Sequence, residues 1–214
     1  MGFRTGFVIA AVSFLYGVLF IVSIYDFPLL YYSPFDEAAV EPAERFYLSL
    51  FNGPTAVQAL LHGMMALGLI GLVAKLHRWT DAAKYYDGGS LVIYMAAVCM
   101  YGAVSVPNLR LIANPNNVDY LDRSSIRTQR EKQAEDAAKG IAPPPPTGPM
   151  TGEERIAALR ILGATNSIIV AMLAGVVLLQ VSDWYLGRQE KLAKDAEREK
   201  QMAEILKVEG KKDK

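Results

Sequence analysis

The chain has 214 residues, of which 52% are hydrophobic and 21% charged, and its mean hydropathy of +0.18 is high for a soluble protein that carries so much charge. Because the formal net charge is zero, the overall balance gives no indication of a nucleic-acid partner. The single cysteine, Cys99, excludes an internal disulfide framework.

Four windows of the sequence are long and apolar enough to cross a bilayer. A transmembrane helix needs about 20 largely apolar residues, because every backbone amide must find its partner inside the segment. The predicted spans are about 5–25, 54–74, 88–106 and 156–182. We therefore predict an all-α fold, an integral membrane four-helix bundle over residues 1–186, followed by a charged tail over 187–214.

The first predicted span begins where a signal peptide would begin, but it is longer. Its apolar stretch runs from Thr5 to Tyr25, whereas the apolar region of a signal peptide covers about 7–15 residues before a cleavage site flanked by small residues. The stretch ends in Ser23-Ile24-Tyr25-Asp26, without small residues at the required spacing. We therefore expect a retained membrane anchor.

Basic residues in the connecting segments predict the orientation of the spans, because loops rich in Lys and Arg stay in the cytosol. Segment 26–53 has one basic residue, Arg45, against five acidic ones, whereas 75–87 has three basic residues and the tail 187–214 has nine. This predicts that 75–87, the tail and both termini are cytosolic. Segments 26–53 and 107–155 are then lumenal.

The long segment 107–155 fits this rule less well, since it carries seven basic residues. Most of them are far from a helix end, where they affect orientation weakly. Its part 119–139 is polar and permits helix, and the proline-rich part 141–149 is expected to form a stiff polyproline II spacer. A ligand for proline-binding domains is the alternative, which a lumenal location disfavours.

The second span carries small and polar residues at helical spacing. Ala59 and Gly63 lie four positions apart and share one face of the helix. Gln58 and His62, also four positions apart, are polar groups in the same window. Because the span cores contain no second histidine and no carboxylate, we interpret His62 as a buried, hydrogen-bonded residue rather than a proton relay or a metal ligand.

The fourth span has a longer stripe of small side chains. Gly163, Ser167, Ala171 and Gly175 recur every four residues, which places them along one face of a helix. In lipid, helices associate through close van der Waals contact, and small residues permit two backbones to approach. The stripe indicates either packing within the four-helix bundle or docking of another membrane protein, and both can hold.

Two carboxamides, Asn166 and Gln180, are the polar residues of the fourth span. An amide in hydrocarbon costs free energy unless it is hydrogen-bonded. We therefore predict that both contact a neighbouring helix, and we group them with the two small-residue faces as candidate interface residues.

The chain offers little for catalysis. Intramembrane proteases need paired Asp, a Ser/His pair or a zinc-binding His cluster, so we predict a non-enzymatic protein without catalytic residues, metal or cofactor. A transporter is weakly supported, because the span cores lack an ion-binding carboxylate and the sequence lacks a convincing internal repeat. A non-catalytic subunit of a transporter or of another membrane complex is the alternative function.

The tail alternates charge sign, which is typical of a solvated helix with salt bridges between its turns. It ends in Lys211-Lys212-Asp213-Lys214. Lysines at the third and fourth positions from a free cytosolic C-terminus resemble the dilysine signal that vesicle coat proteins read during retrieval from the Golgi to the endoplasmic reticulum (ER). Lysine-rich tails also reach this pattern by chance, so Lys211 and Lys212 are a candidate retrieval signal.

Several strings in the spans resemble one protein family. They are TNSII at 165–169, AGVVLLQ at 174–180 and WY at 184–185 in the fourth span, and GLIG at 68–71 in the second. Tyr94 and Cys99 of the third span are similar in position and character. The chain thereby resembles the fungal ER membrane chaperones for amino-acid permeases, the super-high-histidine-resistant family. Segment 107–155 looks expanded relative to the family's founding member.

The resemblance implies a multi-pass ER membrane protein without ATPase activity. It would shield spans of newly inserted amino-acid permeases from aggregation and support their entry into ER-derived transport vesicles. Its partners would be those permeases, held transiently through membrane helices, with vesicle coat components at the cytosolic tail and membrane lipid around the spans. The small-residue faces and the carboxamides would then be client-interface residues.

Overall fold

The computed structural model describes residues 3–77 and 81–212, and it describes side chains over 5–77 and 84–203. This part of the chain is all-α and contains no strand. Its elements in chain order are α1 (Phe3–Tyr31), a 3₁₀ turn (Glu37–Ala39), α2 (Val40–Phe51), α3 (Thr55–Leu76), α4 (Asp81–Met100), a π turn (Tyr101–Ser105), α5 (Val106–Ala113), α6 (Val118–Asp122), α7 (Ser125–Ala138) and α8 (Gly152–Lys212).

Four helical segments are long and apolar enough to cross a membrane, which confirms the predicted fold class. They are Thr5–Tyr31, Thr55–Leu76, Lys84–Ala113 and Gly152–Ala203. The first, third and fourth extend well beyond the predicted windows. The predicted windows end near charged residues or a proline, whereas the helices continue through those residues.

The third span is one continuous helix with a change of pitch inside it. α4 runs through the π turn Tyr101–Ser105 directly into α5, so the helix continues past the predicted end of the span at residue 106. Pro107 lies directly after the π turn, in the first turn of α5, and the helix continues through it although proline has no N–H to donate. Single π turns within α-helices often occur at functional sites.

The four spanning helices form a closed ring, in which α1 and α4 each pack against both α3 and α8. Their shared core is a cluster of buried side chains that includes Val8 of α1, Leu72 of α3, Tyr94 of α4 and Leu173 of α8. Because all four helices contribute, the cluster holds the ring together in its middle.

The segments predicted as lumenal loops, 26–53 and 107–155, contain most of the remaining helices and cover one end of the ring. α2 packs against α1, α5 and α8. Tyr47 of α2, Leu111 of α5 and Leu159 of α8 belong to a second buried cluster. Both segments are therefore folded parts of the membrane domain, and together we call them the cap.

Arg130 of α7 ties the proline-containing part of this cap to α8. Its Nε and Nη2 donate to the two carboxylate oxygens of Glu154 at 2.6 and 2.8 Å, and this bond raises the pKa of Arg130. Its Nη1 and Nη2 also donate to the carbonyls of Gly148 and Pro149 at 3.0 and 3.2 Å. The segment is thus held against the bundle, with residues 143–146 in neither helix nor strand.

The fourth span and the charged tail belong to one helix. α8 runs from Gly152 to Lys212 without a break, so the predicted boundary at residue 186 falls inside it. The side chains from 185 to 203 are exposed, which fits their alternating charges. Any contact made by the tail would therefore be made by a helical surface.

Candidate functional site

A polar cluster lies where α1, α2 and α8 meet beneath the cap. Tyr47 of α2 donates its hydroxyl hydrogen bond to Asp26 Oδ1 of α1. Asn166 Nδ2 of α8 donates to Asp26 Oδ2 at 3.0 Å and to the Tyr47 hydroxyl at 2.8 Å. All three side chains are buried, and burial together with Asp26 raises the pKa of Tyr47. The cluster joins three helices through these hydrogen bonds.

A second polar cluster lies at the opposite end of the ring, where α3 ends and α4 begins. Lys75 Nζ of α3 lies 2.8 Å from Asp87 Oδ1 of α4 and 3.0 Å from Asp183 Oδ2 of α8. It also donates to Gln180 Oε1 at 2.6 Å. Gln180 Nε2 in turn donates to Asp87 Oδ1 at 3.1 Å and to Ser90 Oγ at 3.0 Å. Lys75 and Gln180 are 0% exposed and Asp87 is 1% exposed.

This second cluster differs from the sequence prediction, which placed Lys75 and Asp87 in a cytosolic loop over 75–87. α3 continues to Leu76 and α4 begins at Asp81, so both charges belong to helices. They are buried because each neutralises the other, and burial of a charge is tolerated only with such a partner. The sequence feature that pointed to this cluster was Gln180, because a carboxamide within a predicted span needs a hydrogen-bond partner.

An apolar cavity of about 300 Å³ lies inside the ring beneath the cap. Its lining comes from all four spanning helices and from α2. The buried residues of α3 are Gly68, Gly71, Leu72 and Lys75, all in its second half. The first half of α3 therefore stands away from the core, and the cavity fills the space that this leaves.

His62 borders the cavity but is exposed at the bundle surface, so the prediction of a buried histidine is wrong. Its Nδ1 lies 2.7 Å from the carbonyl of Gln58, one turn earlier. Its Nε2 lies 3.3 Å from the Tyr101 hydroxyl of the π turn. His62 is exposed because its half of α3 does not pack into the core.

The predicted small-residue stripe of α8 divides into a packed part and an open part. A Cβ at Gly163 would lie 3.2 Å from Asp26, so this glycine makes room for the first polar cluster. Ser167 is half-buried and donates to the carbonyl of Gly163 at 3.0 Å. Ala171 is exposed, and a Cβ at Gly175 would meet Ile93 only at 4.0 Å.

The glycines of α3 divide in the same way. A Cβ at Gly68 would lie 2.6 Å from the Tyr94 hydroxyl, and one at Gly71 would lie 2.7 Å from Val8. A Cβ at Gly63 would meet no described atom within 4 Å, and Ala59 is exposed. Gly68 and Gly71 hold the ring closed, whereas the exposed Ala59 and the half-buried Gly63, beside which a side chain has room, form an open face of α3.

The candidate retrieval lysines lie at the limit of the structure. α8 extends to Lys212, but the side chains of Lys211 and Lys212 lie outside the described residues. Within the described residues, no group of three or more His, Cys, Asp or Glu side chains is arranged to hold a metal ion.

The chain matches the family model described as ER membrane protein SH3, the SHR3 chaperone family, over residues 1–214. The match therefore covers the spans, the cap and the tail. No curated protein and no solved structure gives a match.

Proposed function

Since this chain belongs to the SHR3 family of ER membrane chaperones, we propose that it assists the folding of polytopic amino-acid permeases and supports their packaging into ER-derived transport vesicles. The observation that carries this proposal is the family match over the whole chain. In this proposal both termini are cytosolic, the cap is lumenal, coat components meet the tail, and lipid surrounds the ring.

The open face of α3 is suited to receive a client helix. Only 17% of its most hydropathic window is buried. Ala59 and Gly63 are small, and Leu60 beside them is 53% exposed. Small residues allow a second helix to approach closely, while hydrogen bonds between membrane helices average only about 0.6 kcal/mol. Contacts of this strength permit release of the client.

Deleting the gene and following amino-acid permeases by surface labelling tests the proposal. We expect the permeases to accumulate in the ER, while unrelated membrane proteins reach the surface. Normal delivery of every amino-acid permease would contradict it. Uptake of a solute by the purified, reconstituted chain alone would instead support a role within a transporter.

Replacing Gly63 with Leu is expected to impair client maturation without changing the stability of the chaperone. A Cβ at Gly63 meets no described atom within 4 Å, so the larger side chain fits without a clash and blocks close approach of a client helix. Loss of a contact worth about 0.6–1.4 kcal/mol reduces binding about threefold to tenfold. Permease delivery in cells that carry the variant measures this effect.

Gly17→Leu is the matched control for this substitution. Gly17 is exposed on α1, and a Cβ there would also meet no described atom within 4 Å. Equal losses from Gly17→Leu and Gly63→Leu would show that bulk on the outside of the ring matters, and that α3 is not the docking face.

We propose further that Lys211 and Lys212 return the chaperone to the ER. Replacing both with Ser is expected to let part of the protein reach the Golgi, as measured by microscopy and by Golgi-specific modification of an added lumenal glycosylation site. Replacing Lys200 and Lys207 removes the same charge upstream and is expected to change nothing. Unchanged ER residence of the Lys211/Lys212 variant would place retention elsewhere.

A further inference from the structure

One face of α8 carries large apolar side chains that the ring does not cover. Leu178, Tyr185 and Leu192 recur every seven residues and are 68%, 55% and 56% exposed. They belong to a continuous row of positions, alternately three and four residues apart from Ile168 to Ala203, which we call the α8 seam. Every seam residue is exposed except Gly175, which is half-buried.

The seam differs from the lipid-facing surface of a neighbouring helix. α1 exposes large side chains such as Phe20 and Ile24. The seam instead alternates large residues with small ones such as Ala171 and Ser182, and it continues beyond the span into the charged tail, where Leu192 is exposed. A repeat of alternately three and four residues is typical of the contact surface of a left-handed coiled coil.

A partner that covers the whole seam must itself be a helix that crosses the membrane and continues into water on the same side. α8 runs from Gly152 to Lys212 without a break, so one part of the seam lies in the span and the other in the tail. A second copy of the chain meets this requirement. Since both copies have the same orientation in the membrane, their α8 helices would run parallel, and each seam residue would face its counterpart.

The charges beside the seam favour this parallel pairing. In a parallel coiled coil, charged residues that flank the seam pair with residues five places later on the partner helix. Asp195 directly precedes the seam residue Ala196, and Lys200 directly follows the seam residue Glu199. Both charged side chains are exposed. The two-fold symmetry of the pair gives two attractive contacts between Asp195 and Lys200.

We propose that the chaperone forms a parallel homodimer through the α8 seam, in which the spans meet in lipid and the tails form a short coiled coil outside the membrane. Gln189 on the seam can donate to and accept from its counterpart. Glu199 is the one charged seam residue, and it meets its own copy, so it weakens the pair. α3 packs against α1 and α4 and lies across the ring from α8, so the dimer leaves the open face of α3 accessible.

Disulfide crosslinking between two copies tests the seam. Each variant carries Cys99→Ala and one new cysteine, and isolated ER membranes are oxidised. Leu192→Cys and Ala196→Cys are expected to give a product of twice the 23.5 kDa chain mass, because counterpart Cα atoms on the seam would lie within the disulfide range of about 4.4–6.8 Å. Lys194→Cys, on the opposite face of the same helical turn, is the control and is expected to give only background.

A reciprocal exchange of charge tests the register of the pair. Asp195→Lys and Lys200→Asp each turn both attractive contacts into repulsive ones, and each is expected to lower crosslinking through Ala196→Cys about threefold to tenfold. Two differently tagged chains, one with each exchange, are expected to crosslink to each other as well as the parent chains do, because the mixed dimer regains two attractive contacts. ER residence is expected to stay unchanged, since the pair neither uses nor removes Lys211 and Lys212.

Glu199→Leu is expected to have the opposite effect and to raise the crosslinked fraction. The substitution removes repulsion between the two carboxylates and adds apolar contact on the seam. Lys194→Leu adds the same side chain away from the seam and is expected to change nothing. An unchanged or lower crosslinked fraction in Glu199→Leu would contradict the proposed register.

Four other outcomes would overturn the inference. They are equal crosslinking from Leu192→Cys and Lys194→Cys, the absence of a product of twice the chain mass, no recovery when the two charge variants are combined, and a crosslinked product of a different mass, which would assign the seam to another protein. All substituted tail positions are exposed, so the ring is expected to stay intact, and the melting temperature of each variant checks this. Normal permease delivery after gene deletion would contradict the proposed function and leave the homodimer standing.

Discussion

Replacing Lys75 with Met is expected to be among the most destabilising substitutions in this chain. Methionine retains much of the aliphatic stem but removes the ammonium group that neutralises Asp87 and also lies 3.0 Å from Asp183. Asp87 would then be an unpaired carboxylate at 1% exposure, and Gln180 would lose its donor at 2.6 Å. Removing one partner of a buried ion pair costs about 3–5 kcal/mol, so we expect a large fall in the melting temperature of the purified protein in detergent.

Two companion variants separate charge burial from general damage. Arg45→Met removes a cation whose side chain is 78% exposed in its pair with Glu41, and it is expected to leave the melting temperature unchanged. Lys75→Met combined with Asp87→Leu removes both charges, and it is expected to recover part of the lost stability, because apolar replacements of whole buried pairs are often tolerated. A Lys75→Met variant as stable as the parent chain would be inconsistent with a buried cluster.

The four spans were predictable because hydropathy alone marks a helix that crosses hydrocarbon. Their ends were not, and the reason is the same at both ends of the ring. Asp26 and Lys75 look like residues at the edge of a span, because an isolated charge belongs in water. The structure gives each of them partners on other helices, and which helices meet is a tertiary property that a hydropathy window does not contain.

The cap and the π turn were missed for related reasons. Segments 26–53 and 107–155 are polar enough to resemble loops, yet α2 and α5 bury apolar side chains against the ring. Pro107 predicted a helix end, but it lies in the first turn of α5. The π turn depends on backbone register alone, and the composition of Tyr101–Ser105 gives no sign of it. The candidate cavity therefore emerged only from the structure.

Small residues were recognised as interface markers, but spacing did not separate the two kinds of interface. Ala59 of α3 is exposed and Gly63 is half-buried with open space beside it, whereas Gly68 and Gly71 of the same helix are buried. All four are small residues, which permit close contact between two apolar helices. The difference arises because only the second half of α3 packs into the core, which follows from the positions of α1 and α4.

This difference leads to the second large expected effect, a loss of stability in Gly71→Leu. A Cβ at Gly71 would lie 2.7 Å from Val8 and 3.3 Å from Phe7, and Val8 is 0% exposed, so neither helix has room for a larger residue. Overpacking of a filled core costs about 1–3 kcal/mol, and sometimes more. We expect a lower melting temperature in detergent and reduced protein levels in cells, with Gly71→Ala affected less.

Gly63→Leu introduces the same side chain into the same helix and provides the comparison. Gly71→Leu is expected to lower the melting temperature, whereas Gly63→Leu is expected to leave it unchanged and to lower permease delivery per molecule of chaperone. This opposite pattern would assign separate roles to the two halves of α3, the second closing the ring and the first meeting the client. If both variants lost stability equally, the first half would have to pack against the ring, and the open face would not exist as described.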